Sequence, residues 1–152
     1  MRNLLACLRS RAGVAAVEFA IIAPVLITLV GAAVDLGTGV ERAIRLENAA
    51  RAGAQYATRT PSDTAGARAA ALATLSDWSN VTVTAGPMAC TCPTSGASGG
   101  PVVGCGTTCP TGMARYITVT ASRPFTPIFP TSALIPFNNL GTSTASVVAR
   151  IL

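Results

Sequence analysis

Cysteines are the residues of this chain best suited to covalent or metal chemistry. Four of the five lie within residues 86–112, an uncharged segment rich in Gly and Pro, with the spacing C-x-C-x12-C-x3-C. They are Cys90, Cys92, Cys105 and Cys109. Four cysteines allow three disulfide pairings, and each loop of about 15 residues that a disulfide closes contributes around 3 kcal/mol in the chain-entropy model.

The pairing of these four cysteines is narrowed by the length of the rings. A bond between Cys90 and Cys92 would strain a very short ring. The nested pairing suits a hairpin-like excursion of the chain, but the sequence does not decide between it and the crossed pairing. The nested pairing joins Cys90 to Cys109 and Cys92 to Cys105, whereas the crossed alternative joins Cys90 to Cys105 and Cys92 to Cys109.

A four-cysteine zinc site is the other use that these thiols could have. Zinc knuckles prefer two to four residues between their cysteines, and the C-x-C step is too tight for that geometry. An exported segment also favours oxidation. No His or acid lies near the cysteines to activate a thiol. We therefore predict disulfides, with no metal and no cofactor.

The types of charged residue exclude most enzyme classes. All eleven basic residues are Arg, and the chain contains no Lys and no His. This composition excludes Ser-His-Asp and Cys-His nucleophiles, His-ligated metals and Schiff-base lysines. Residues 96–100, GASGG, match the G-x-S-x-G pattern, which needs a strand, a sharp turn, a helix and a His partner. No basic patch interleaved with aromatic residues suggests nucleic acid. We predict no enzymatic activity, no small-molecule substrate and no nucleic-acid partner.

The most apolar stretch lies near the amino terminus. Between Arg11 and Asp35 lie 23 residues with one charge, Glu18. As a helix they extend about 34 Å, which exceeds the roughly 30 Å of a bilayer's hydrocarbon core. Their nine strongly apolar side chains contribute roughly −3 to −5 kcal/mol to insertion, which outweighs one carboxylate near the end of the span. Arg2 and Arg9 also precede the span, so we expect a cytoplasmic amino end and an exported remainder.

The residues around the start of this span resemble a prepilin peptidase site. A short basic leader ends in Gly13, Glu18 is the fifth residue after it, and Phe19 follows. The further run AVEFAIIAPVL, residues 16–26, resembles the TadE-like pseudopilins of tight-adherence (Tad) pili. The specific likeness covers roughly residues 11–40.

The resemblance implies cleavage after Gly13, which would make Val14 the first residue of the mature chain. It implies a role in subunit assembly for Glu18 and Phe19, the Glu pairing with the terminal amine of a neighbouring subunit. The partners it implies are prepilin peptidase, other pilins or pseudopilins, and the inner-membrane assembly platform, with adhesion and biofilm formation as the downstream role. Cys7 would leave with the leader, so the mature chain would keep an even four cysteines.

The expected fold class is α+β and pilin-like: a long amino-terminal helix, transmembrane and then amphipathic, packed on a small antiparallel sheet with a disulfide-stapled loop. We divide the chain into a leader (1–13), a transmembrane helix (14–34), a helix extension (35–59) and an exported α+β domain (60–152). The expected location is the bacterial inner membrane, with a single span and a periplasmic carboxyl-terminal domain. Incorporation into a surface pilus would follow.

Hydrophobic periodicity predicts the elements of the exported part. A second helix is predicted over 64–77 and strands over 80–85, 115–122 and 143–151, with Trp78 packed against the core. The apolar residues of the extension that fall near helical spacing are Leu36, Val40, Ala43, Ile44, Ala50, Ala54 and Ala57.

Residues 123–139 interleave Pro with large apolar side chains, which blocks regular structure. Those apolar side chains are expected to pack back over the long helix or to dock a partner subunit.

A second hypothesis for the whole chain has no link to pili. The chain would then be a single-pass membrane-anchored or secreted binding module that presents the stapled loop. The amino terminus of the mature protein distinguishes the two hypotheses.

Overall fold

The computed structural model describes residues 11–93, 100–126 and 141–151. Leader residues 1–10, most of the GASGG match and most of the proline-rich stretch lie outside the described residues. The described chain divides into two compact units: residues 11–38 belong to one, and the described residues from Gly39 onward belong to the other, which we call the sheet unit.

The first element is one continuous helix, α1, Arg11–Arg59. It covers both the predicted span and its predicted extension. It continues through Pro24, which removes one backbone donor from the ladder. Beyond the span, two exposed ion pairs with i,i+4 spacing support the helix, Glu41–Arg45 at 3.0 Å and Glu47–Arg51 at 2.5 Å. Each such pair contributes about 0.2–0.5 kcal/mol.

The second helix, α2, Thr64–Ala73, begins at an Asp63 cap. The Gly66 N–H donates to one carboxylate oxygen of Asp63 at 2.8 Å, and the Tyr56 hydroxyl donates to the other at 2.8 Å. These two hydrogen bonds, the backbone one first, hold the pKa of Asp63 below its ordinary value. The carboxylate therefore stabilises the fold above its ordinary pKa, and this contribution is lost as the pH falls through the lowered value.

Helix α2 ends four residues earlier than predicted, and residues 74–77 form turns. The Thr74 hydroxyl donates to the Ala71 carbonyl at 2.8 Å, and the Thr74 N–H also points to that carbonyl at 3.3 Å. These i→i−3 bonds replace the i→i−4 pattern and close the helix.

Five antiparallel strands form one sheet. They are β1 (Thr82–Ala85), β2 (Ala89–Thr91), β3 (Val102–Val103), β4 (Ala114–Pro124) and β5 (Thr142–Ile151). The three predicted strands correspond to β1, β4 and β5, and are confirmed with ends shifted by one or two residues. The two short strands in the Gly- and Pro-rich segment were not predicted.

The long strand β4 organises the sheet. β5 pairs with it along one edge, from Arg115↔Ile151 to Pro124↔Thr142. Strands β1 and β2 lie end to end along the other edge, and β3 pairs with β2. Ala85 pairs with Val119 and Ala89 pairs with Tyr116, so four residues of chain on this edge span the length of three residues on β4. This edge therefore contains one extra residue. The Gly86 N–H donates to the Thr118 carbonyl at 2.8 Å there.

The core lies between the two helices and one face of the sheet. Alternation along β4 turns Ile117, Val119 and Ala121 inward. Trp78 packs against this cluster, as predicted. The members contributed by α1 share one helical face, and they are Leu46, Ala49, Ala50, Ala54 and Ala57.

The predicted packing face of the extension is wrong in its first half. Leu36, Val40, Ala43 and Ile44 are exposed, and the buried face of the sheet unit starts at Leu46. Two residues turn a helix by about 200°, so Ile44 and Leu46 point to opposite sides of α1. The sheet covers only the Leu46 side.

Helix α1 and strand β4 run in opposite directions. Arg42 lies over the Phe125 ring just after the end of β4, 4.8 Å from its centroid. Farther along the helix, Gly53 approaches Val119. The end of the sheet unit that contains Gly39 and Phe125 is therefore next to the span in the chain, and we call it the proximal end. The distal end holds β2, β3 and the start of β4.

Gly53 is the closest approach of three elements. A Cβ there would lie 2.8 Å from the Ala67 carbonyl oxygen on α2 and 3.0 Å from Cγ1 of Val119 on β4. Backbone and core atoms cannot move aside easily, because the interior is close-packed. The absence of a side chain at this position therefore sets the spacing of the helices and the sheet.

We predict that Gly53→Ala lowers the free energy of unfolding by about 1–3 kcal/mol through overpacking, despite the roughly 1 kcal/mol by which Ala favours a helix over Gly. Gly37→Ala is the matched control on the same helix, since a Cβ there meets nothing within 4 Å. Thermal unfolding in detergent, followed by circular dichroism, measures both. A Gly53→Ala protein as stable as the control would contradict the packing argument.

Candidate functional site

The four residues singled out at the amino end all lie on the first turns of α1. Gly13 and Glu18 are exposed, as are Val14 (60%) and Phe19 (68%). Glu18 follows Val14 by one helical turn, which is a rise of about 6 Å. Within the described part of the chain no ion pair to Glu18 is present. The structure thus presents a carboxylate on an otherwise apolar surface, and the processing and assembly roles stay predictions.

The helix around these residues is apolar on all sides. Its side chains from Val14 to Val34 are exposed wherever they are large and hydrophobic. By length and composition it is able to cross a membrane, and none of its apolar window is buried by the rest of the chain. A helix that is apolar all round belongs in a membrane or between other helices. The observation supports single-pass anchoring.

The four cysteines of the loop form two disulfides, as predicted. Cys90 bonds to Cys105 with a Cα–Cα distance of 5.2 Å, and Cys92 bonds to Cys109 at 5.4 Å. Of the two pairings left open by the sequence, the structure has the crossed one. Among the described residues no cluster of three or more His, Cys, Asp or Glu is placed to hold a metal.

The path of the chain explains the crossed pairing. The segment that runs antiparallel to β2 is β3, which contains no cysteine. After β3 the chain reverses in a turn where the Thr107 N–H donates to the Gly104 carbonyl at 3.0 Å. The segment 105–109 therefore passes β2 in the same direction as β2 itself. Cysteines on two segments that run in the same direction pair in order, first with first and second with second.

The disulfides fix the distal end of the sheet. Cys90 is fully buried, whereas Cys105 is exposed. The Thr111 hydroxyl donates to the Pro93 carbonyl and ties the end of the loop to its start. Residues 86–112 carry no charge, so the stapled loop itself is neutral, and the charge at this end comes from the exposed Arg115 and Arg150 on β4 and β5. Val102, exposed to 76%, is its most prominent apolar side chain.

An arginine–aromatic cluster at the proximal end was missed in the sequence. It consists of Arg42, Arg45, Trp78, Arg123 and Phe125. The guanidinium carbons of Arg45 and Arg123 lie 5.3 Å and 4.4 Å from the Trp78 ring centroid. Phe125 is buried beneath Arg42. Phe125 is the one large apolar residue of the proline-rich stretch whose packing the structure describes. Phe125 packs against α1, which is one of the two arrangements expected from the sequence.

A signal for this cluster was present but was not used. The chain has a single Trp, and it follows Asp77, which binds Arg45 at 2.8 Å. To predict which arginines contact this Trp, one must know that α1 and β4 run antiparallel. The spacing of residues in the sequence does not reveal that.

Residues 13–55 of the chain match the family described as TadE-like protein. The match contains all four amino-terminal site residues. It also extends beyond residue 40, which is the end of the likeness recognised in the sequence. No curated protein and no solved structure matches the chain. The resemblance is confirmed over the matched segment, which is less than half of the chain: residues 13–55 are similar to TadE-like proteins.

We predict that thiol titration of full-length double variants will report the crossed pairing. Cys90→Ala with Cys105→Ala leaves a bonded pair and adds no free thiol, so only Cys7 titrates in an unprocessed chain. Cys90→Ala with Cys109→Ala splits both disulfides and adds two. Removing one native disulfide should cost about 2–4 kcal/mol of unfolding free energy. If Cys90→Ala with Cys105→Ala added two free thiols and Cys90→Ala with Cys109→Ala added none, the result would contradict the crossed pairing and support the nested one.

Proposed function

We propose that this chain is a non-enzymatic minor pilin or pseudopilin of a Tad-type pilus. One observation carries the proposal: an exposed apolar helix with a single carboxylate near its amino end, inside a segment that matches TadE-like proteins. Such a helix has no use in a soluble monomer, because it leaves its apolar surface in water. It suits a subunit stored in a membrane and then packed among similar helices.

The proposed division of the chain follows from processing after Gly13. Residues 1–13 are the leader, 14–34 the transmembrane helix, 35–59 its extension, and 60–152 the exported α+β domain. Prepilin peptidase removes the leader. Other pilins or pseudopilins and the inner-membrane assembly platform then receive the mature chain. Adhesion and biofilm formation are the downstream role.

Two independent arguments support a periplasmic position for the sheet unit. Three arginines precede the span without an acid, which favours a cytoplasmic amino end. Two disulfides at the distal end need an oxidising compartment, which a bacterial cytoplasm does not provide. Both arguments support a span in the inner membrane with its carboxyl-terminal side outward.

Glu18 registers the subunit in the proposed assembly. A carboxylate exposed on a helix in lipid is costly and is stabilised by a cationic partner. Cleavage after Gly13 creates such a cation, the α-amine of Val14, one helical turn away on the same chain. In a bundle of staggered helices, the amine of a neighbouring subunit comes level with this carboxylate, and Phe19 packs beside it.

We predict that intact-mass and amino-terminal analysis of the protein from its native host gives Val14 as the first residue. Gly13→Leu should block this cleavage, because a branched side chain does not fit a site that accepts glycine. Ala12→Leu is the neighbouring control and should still be processed. A mature chain that retains Met1, or that begins near Val34, would favour the membrane-anchored or secreted binding module.

We predict that Glu18→Gln is processed normally but enters sheared pilus fractions about tenfold less, since losing an ion pair in lipid costs about 1–2 kcal/mol. The substitution keeps the size of the side chain and removes only its charge. Thr28→Ala is the matched control, because it removes an exposed polar group from the same span. Equal incorporation of Glu18→Gln and wild type, measured by quantitative immunoblot, would count against the pairing role.

A further inference from the structure

The two long sides of the sheet end differently. On one side the outermost strands are short: β1 has four residues and β3 has two, and the extra residue between β1 and β2 interrupts the ladder. On the other side lies β5, Thr142–Ile151, whose ten residues pair with β4 in one unbroken register. Short strands and bulges protect a sheet edge from pairing with another chain, whereas a long regular edge strand favours such pairing.

The outer edge of β5 has backbone groups suited to a second ladder. In an antiparallel ladder every second residue directs its N–H and C=O toward the neighbouring strand, and the residues between them direct theirs away. Within the part of the chain that the structure describes, β5 pairs with β4 alone. The strand contains neither Pro nor Gly, so each of its residues can donate to a ladder without a kink. The outer edge is therefore able to accept another strand along its full length.

The side chains of β5 that face the core are covered on one side only. Ala145, Val147 and Ala149 pack against the core cluster but stay half-buried, whereas the inward side chains opposite them on β4 are fully buried. On the other face of the strand, Val148 is 60% exposed. A strand added beyond β5 would cover these apolar side chains as β5 covers those of β4, and burial of apolar surface favours association.

The charge pattern of β5 suits a second copy of itself in antiparallel orientation. Arg150, near one end, is the only charged residue of the strand. When two copies pair around Ser146, two-fold symmetry places the two Arg150 positions about 27 Å apart, well beyond the screening length of about 8 Å. Val148 then lies opposite the partner's Thr144, and such β-branched residues pair favourably across strands. Parallel pairing would instead set the two arginines side by side.

We propose that β5 pairs in antiparallel register with β5 of a second copy of this chain, so that the two five-stranded sheets join into one continuous sheet. The centre of the pairing lies within one residue of Ser146, where the ladder is longest. The interface belongs to the sheet unit. It rests neither on cleavage after Gly13 nor on pilus assembly, and it adds to the proposed function a defined contact between copies.

Cysteine cross-linking of the full chain in detergent tests the pairing. Cys7→Ala provides the background, because the four loop cysteines are bonded to each other. Ser146→Cys adds an exposed thiol at the centre of the proposed ladder, within reach of its own copy. Thr118→Cys is the matched control, exposed on the same face of β4 and at least three strand spacings, about 14 Å, from its copy.

We expect a short bismaleimide, with a reach below that spacing, to yield about fivefold more cross-linked dimer from Ser146→Cys than from Thr118→Cys. A second pair of variants tests the same edge by charge. Ser146→Lys sets two like charges opposite each other and should raise the dissociation constant of the dimer, measured by sedimentation equilibrium, about fivefold. Thr118→Lys adds the same charge away from the edge and should leave it unchanged. Circular dichroism of all four variants verifies that the fold is intact.

Three outcomes would overturn the proposal. Equal cross-linking of the two cysteine variants would mean random collisions between copies. Absence of cross-linking at Ser146→Cys would mean that the outer edge of β5 takes no second copy. A dimer unaffected by Ser146→Lys would mean association through another surface, such as the apolar segment of α1. In each case, the amino terminus of the mature protein would still test the pilin assignment separately.

Discussion

The structure depends on how α1 divides its surface between lipid and protein. In its first half the large apolar side chains are exposed, and none of the most apolar window is buried by the rest of the chain. In its second half one face, from Leu46 to Ala57, is buried against α2 and β4, and the remaining faces carry charge. One continuous helix therefore supplies both an apolar segment able to cross a membrane and the helical support of the sheet unit.

Small residues allow the second half of α1 to pack closely against α2 and the sheet. Ala49, Ala50, Gly53 and Ala54 let α1 approach α2 and the sheet closely, and the close approach compensates for the lack of large core side chains. Among the described residues, four fully buried side chains are larger than alanine, namely Leu46, Ile117, Val119 and Cys90. A core of this kind gains little per residue from burial, and the two disulfides at the distal end add to its stability.

The parts of the fold that could be predicted from the sequence are those with a strong hydrophobic periodicity or a distinctive composition. The apolar helix, the alternating strands β4 and β5, and the disulfide bonding of four loop cysteines follow from pattern and composition. The cysteine pairing could not be predicted, because it depends on a reversal at Gly104–Thr107 that follows a two-residue strand. The buried face of α1 was misplaced because its alanines resemble the exposed alanines around them. The proximal cluster joins α1, residue 78 and the end of β4, and only the tertiary course of the chain brings these together.

The opposite directions of α1 and β4 also have a mechanical consequence. Because the second half of α1 and the central strand run antiparallel within the sheet unit, tension applied along that half of the helix has a component along the length of β4. The ladder between β4 and β5 and the close contact at Gly53 are then loaded in shear, so their bonds resist together instead of opening one at a time. A strand ladder loaded in shear resists more than one loaded at a single end, so the antiparallel arrangement of α1 and β4 favours resistance to a pull along the helix.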